Sequence, residues 1–166
     1  MALLLAGCGG ALTGTKNAVG SLLSAGAGPD APEPVQAEPE APRCPTVRVQ
    51  SETELLRRDD GTGTAAGLSW QASIAKTARE CTAAGEGVAV RVGVAGRVVE
   101  GPSGASGSVS LPVRVAVREA SGVTYDKTHA VAVALDAPSK GWAFVDEAVI
   151  VAEPRGAVIY VGFDDT

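Results

Sequence analysis

Few residue types in this chain can do chemistry: three cysteines (Cys8, Cys44, Cys81), one histidine (His129), and adjacent carboxylate pairs at Asp59-Asp60, Asp146-Glu147 and Asp164-Asp165. A single histidine cannot build a two-histidine zinc site. Beside Asp126, Lys127 and Thr128 it reads as a rim residue at the start of a strand. Ser103, Ser106 and Ser108 are candidate nucleophiles for it, yet none stands in a Gly-x-Ser-x-Gly elbow. Neighbouring residues on a strand point to opposite faces, so the paired carboxylates are expected to be solvated turn charges, neither acid/base pairs nor a calcium cage. Gly61-Thr62-Gly63-Thr64 has the glycines of a phosphate loop without its lysine or its following helix. These residues predict no enzyme, no cofactor and no metal site. The alternative is a hydrolase built on loop carboxylates with His129, Asp126 and Asp146.

The cysteines divide into one plus two. Leu5-Ala6-Gly7-Cys8 resembles a bacterial lipobox, in which the cysteine becomes the acylated first residue of the mature chain, commonly carrying palmitate. On that resemblance residues 1–7 are the remnant of a signal peptide, Cys8 is the lipidation site, and the rest hangs from a membrane into an extracytoplasmic compartment. No window approaches the roughly 18 consecutive apolar residues of a spanning helix, so the anchor is lipid. An oxidising compartment lets Cys44 and Cys81 pair, and a disulfide between them is expected to contribute about 3–4 kcal/mol by closing its loop.

The elements that position these residues follow from composition. Residues 8–43 are Gly, Ala, Pro, Ser, Thr and Glu with little to bury, which predicts a disordered, lipidated tether. From Cys44 to Thr166 the apolar residues are mostly Val and Ala, which favour strands. Thr46 to Gln50 alternates, as do Val88 to Val94, Val109 to Val117, His129 to Leu135 and Ala157 to Phe163. Leu68 to Cys81 fits both periods and is assigned to a strand, while Ser51 to Arg58 reads as one helical turn. Gly96 suggests a bulge after which the apolar phase shifts, and Pro112 suggests an edge strand or a bulge. Trp142 to Val151 is one bent strand or two, divided at Asp146-Glu147. Trp70, Trp142, Phe144 and Tyr160 are expected at the bulky centre of the core. About seven short strands separated by turn signals predict an all-β fold, an antiparallel immunoglobulin-like β-sandwich occupying 44–166.

The net charge of -5, with Arg48, Arg57, Arg58, Arg79, Arg91, Arg97, Arg114 and Arg118 spread among acids, excludes nucleic acid as the expected partner. No small-molecule ligand is expected. The chain is similar to the small envelope lipoproteins of Gram-negative bacteria in its Leu5-Ala6-Gly7-Cys8 motif, its Pro/Ala-rich tether, its Cys44-Pro45 entry and segments such as Arg79-Glu80-Cys81 and Phe144-Val145-Asp146-Glu147. The resemblance implies the periplasmic face of the outer membrane, because Gly9 and not Asp follows Cys8. It also implies a structural or protein-binding module, with recognition by a sheet edge, or a subunit of a larger envelope assembly.

Overall fold

The computed structural model describes residues 43–164, within a compact unit that runs from Glu40 to Thr166. The expected lipidation of Cys8, the signal remnant at 1–7 and nearly all of the tether at 8–43 lie outside the described residues.

Eight strands follow one another: β1 (Thr46–Val49), β2 (Leu55–Asp59), β3 (Leu68–Ala84), β4 (Gly87–Glu100), β5 (Gly107–Glu119), β6 (Gly122–Leu135), β7 (Ser139–Val151) and β8 (Val158–Phe163). They form two four-stranded sheets, ordered β1-β8-β5-β6 and β2-β3-β4-β7. Every pairing is antiparallel except that of β1 with β8. The fold is an all-β sandwich. At its middle, β4 turns Val88, Val90, Val92, Val94 and Val98 inward against Leu111, Val113, Val115 and Val117 of β5, all at most 2 % exposed. Alternation places every second residue on one face, and β-branched side chains fill the space between two pleated surfaces.

Three details depart from the sequence expectations. Ser51 to Arg58 is no helical turn: Gln50 to Thr53 form a tight turn, with Glu52 at φ 68°, and Leu55 then starts β2. The turn moves the chain from one sheet to the other, and Leu56 enters the core at 1 % exposure. The apolar phase does not shift at Gly96. Val98 keeps the inward phase of Val94, and the extra residue is Ala75 on β3, unpaired between Ile74 opposite Gly96 and Lys76 opposite Ala95. Gly96 is itself required, since a Cβ there would collide with the Ser73 carbonyl oxygen and press on the Trp142 ring.

Pro112 lies on β5, a central strand. Pairing with β8 ends beside it at Phe163, and its carbonyl accepts the Asp164 N–H at 2.9 Å. The N–H that proline lacks is therefore not missed by the ladder. Residues 139–151 are one strand with a bulge: Val90 pairs with Val149 and Val92 with Asp146, leaving Glu147 and Ala148 opposite Arg91. Leu68 to Cys81 is strand, as expected, within β3.

Candidate functional site

β6 and β7 are outermost in their respective sheets and lie against each other across one flank of the sandwich. On β6, Tyr125, His129, Val131, Val133 and Leu135 share the inward phase. On β7 the same phase carries Trp142, Phe144 and Asp146, and the bulge at Glu147–Ala148 resets it so that Val149 and Val151 also face inward. Without that extra residue, an inward Asp146 would turn the two valines to solvent.

Asp146 is a charged group only 3 % exposed. Its Oδ2 accepts the Tyr125 hydroxyl at 2.6 Å and lies 3.0 Å from His129 Nε2, and its Oδ1 accepts the Ala148 N–H at 3.0 Å. A buried carboxylate is tolerable when its lone pairs are occupied in this way. An ionised carboxylate only accepts, so with Asp146 ionised the hydrogen sits on Nε2. The His129 ring packs on Phe144 with centroids 4.7 Å apart, and the Lys127 ammonium lies 5.4 Å from the Tyr125 ring centroid. Burial first, and then the bond to Asp146, raise the pKa of the Tyr125 hydroxyl above its ordinary value. Together the three side chains make a polar bridge between two sheet edges.

Among the sequence-selected residues, the structure brings His129 and Asp146 together and separates both from Asp126. Asp126 is on the outer face of β6, where it takes Arg114 Nε on Oδ1 at 2.7 Å and Nη2 on Oδ2. Those bonds hold the Asp126 carboxyl below the ordinary range. The candidate nucleophiles are elsewhere. Ser103 bonds Ser69 and the Gly67 carbonyl in the loop before β5, and Ser108 pairs with Ala134, five residues from His129 or about 17 Å along the strand. Asp146 and Glu147 point to opposite faces, Glu147 taking both Nε and Nη2 of Arg91. The Gly61–Thr64 segment is a loop leading into strand β3, held by Asp60 and Thr62 bonds within itself.

Trp70 and Trp142 are buried and Phe144 packs against the core, but Tyr160 is not at its centre. It lies on the outer face of its sheet and lines, with Gln50, Arg114, Arg118, Val123 and Asp126, a surface trough of about 380 Å³. The register sets Arg48 opposite Tyr160 and Tyr160 opposite Ala116, so Arg48, far away in sequence, shares this face with Arg114 and Arg118.

The expected Cys44–Cys81 disulfide is present, with Cα atoms 5.7 Å apart. It joins the residue two before β1 to β3 in the opposite sheet, so it ties the two layers together on the flank away from β6 and β7. Tyr125 was legible from phase alone, four residues before His129 on the face of Val131 and Val133. The chain matches no protein-family model, no curated protein and no solved structure.

Proposed function

We propose that this protein is a lipoprotein of the bacterial envelope, acylated on Cys8, whose sandwich is a structural or protein-binding module and not an enzyme. Its place is the periplasmic face of the outer membrane, with residues 8–43 as the leash. The observation that supports this reading is the position of the Cys44–Cys81 bridge. A domain held from its amino terminus takes every pull through the residue that leads into it. Here that residue precedes β1, a strand of four residues paired on one side only, with β8. Alone, so short a ladder is a weak attachment. The disulfide passes the pull into β3, which runs for seventeen residues.

Membrane fractionation and metabolic labelling with palmitate test the anchor. The wild type is expected in the membrane fraction and labelled, and a Cys8→Ser variant unlabelled and released. An unlabelled wild type, or a Cys8→Ser variant retained like wild type, overturns the reading.

A further inference from the structure

The outer face of the β1-β8-β5-β6 sheet carries its charges unevenly. Across it the register sets Arg48, Tyr160, Ala116 and Asp126 in one row, from β1 to β6. The next row toward the chain entry is Thr46, Val158, Arg118 and Val123, and the row on the other side holds Gly162, Arg114 and Thr128. Ala116, with only a methyl group, is the floor of the trough of about 380 Å³, with Tyr160 as one wall and Asp126 as the other.

The two ends of the trough differ. At one, Arg114 gives two of its N–H groups to Asp126, Asp164 accepts the Thr128 hydroxyl at 2.7 Å, and Gln50 adds an amide, so donors and acceptors are mixed. At the other, Arg48 and Arg118 are exposed and make no ion pair or side-chain hydrogen bond with any described residue. Glu119, the acid beside Arg118 in sequence, turns inward and accepts the Ala152 N–H. Past Val158 the surface continues into a hollow with Arg43 and Arg155, and no acid, among its described lining residues. On a chain of net charge -5 this is a local excess of positive charge. Between the ends stands Tyr160, half-buried, its hydroxyl without a partner among the described residues. A tyrosine wall offers flat apolar area and a polar tip.

We propose that this trough binds a phosphorylated sugar, the ring over Ala116 against Tyr160 and the phosphate between Arg118 and Arg48. A sugar ring has an apolar C–H face for Tyr160 and hydroxyls for Arg114, Asp126 and Gln50, while guanidinium forks match phosphate oxygens. Arg114 and Arg118 are four residues apart on β5, about 13 Å, with Ala116 midway, which leaves room for one ring between them. A bare anion would use only the arginine end, and a neutral sugar only the rest. The trough is open to solvent and buries a ligand in part, so binding is weak. The site goes beyond the structural or protein-binding reading and depends neither on it nor on the anchor.

Titration of the full chain carrying Cys8→Ser, which has no acylation site, with glucose 6-phosphate tests the site through amide chemical shifts. Saturable shifts are expected at Ala116, Arg118, Val123 and Tyr160 and not on the β2-β3-β4-β7 sheet, with glucose and inorganic phosphate each bound at least tenfold more weakly. Arg118→Glu is expected to abolish glucose 6-phosphate binding. Tyr160→Ala is expected to weaken it at least tenfold while leaving the binding of inorganic phosphate as it was; Arg118→Glu alone carries the test if Tyr160→Ala does not fold. Vesicles displaying a phosphorylated glucosamine headgroup distinguish the source. Co-sedimentation with them assigns the ligand to a lipid headgroup, binding of the free sugar phosphate alone assigns it to a soluble one, and either supports the site. No saturable shift in the trough, inorganic phosphate bound as tightly as glucose 6-phosphate, or binding unaffected by Arg118→Glu overturns the proposal.

Discussion

The two flanks of the sandwich are closed by opposite means. On one, Cys44 and Cys81 join the entry of β1 to β3 by a covalent bond. On the other, β6 and β7 are joined by Tyr125 and His129 meeting Asp146. The first closure acts chiefly on the unfolded chain, whose freedom the cross-link restricts. The second acts in the native state, where a buried carboxylate must keep its donors. A covalent closure is insensitive to pH until it is reduced, whereas a hydrogen-bonded one depends on protonation. Position suits each: the disulfide lies where the chain enters the domain, and the polar bridge where the outermost strands of two sheets would otherwise part.

Breaking the covalent side should have the largest effect. The bridge spans 37 residues. In the chain-entropy model a loop of that size contributes about 3–4 kcal/mol. A Cys44→Ser/Cys81→Ser double variant is expected to lose about that much in urea unfolding, while its far-ultraviolet dichroism stays that of a sheet protein. A loss below about 1 kcal/mol would mean that the long β3–β4 hairpin holds the flank unaided, a loss too small for the loop.

Removing the acceptor on the other side comes next. Asp146→Ala leaves the Tyr125 hydroxyl, His129 Nε2 and the Ala148 N–H without their partner, and is expected to cost about 2 kcal/mol, since His129 can still reach water. Tyr125→Phe removes one donor and should cost about half of that. If Asp146→Ala proves as costly as losing the disulfide, the two closures are equivalent and the contrast fails. If it is neutral, the flank is held by Phe144, Val131 and Val133 and the polar bridge contributes nothing.

The difference between the flanks also shows what a single sequence carries. The disulfide was legible because two cysteines in a valine-rich domain have few other fates, and the sandwich was legible because Val88 to Val94 and Val109 to Val117 alternate so plainly. The polar bridge was half legible. Counting back from Val131 puts His129 and Tyr125 on the inward face, and the phase break between Phe144 and Val149 marks a bulge. What alternation does not carry is which strand of the opposite sheet faces β6, so Asp146 could not be paired with either donor. Asp126 was grouped with His129 against the alternation itself, since an odd separation along a strand puts them on opposite faces. Arg48 joined Arg114 and Arg118 on the outer face only through the β1-β8-β5 order. Ser51 to Arg58 was misread because β2 is a five-residue strand with two arginines, and only its pairing with β3 identifies it.

The pH dependence of the polar bridge sharpens the contrast further. Burial and Asp146 raise the pKa of Tyr125 above the ordinary 10.0. A tyrosine held neutral in the native state contributes fully below the unfolded value, and that contribution is lost as pH rises above it, because the unfolded chain then releases a proton the native one keeps. Stability is therefore expected to fall above about pH 10, and to fall less steeply in Tyr125→Phe. Parallel declines in the two proteins would place the alkaline sensitivity elsewhere.

The smallest effect is expected at Asp126, the acid of β6. Asp126 makes two bonds to a guanidinium, a stronger set of partners by charge than a tyrosine and a histidine, yet its side chain is 39 % exposed. Solvent screens such a pair, so Asp126→Asn should cost less than about 1 kcal/mol at neutral pH, and less again in high salt. Arg114 lowers the pKa of Asp126 from the ordinary 3.8, so whatever it contributes is present above that value and lost as pH falls below it. The unfolding free energies of parent and Asp126→Asn are accordingly expected to converge as pH falls below the ordinary 3.8, whereas Asp146→Ala stays well below the parent throughout the neutral range. Two aspartates within reach of one strand would then differ severalfold in what they stabilise. Burial, not the number or charge of the partners, would set the difference; equal costs for the two substitutions would show the reverse.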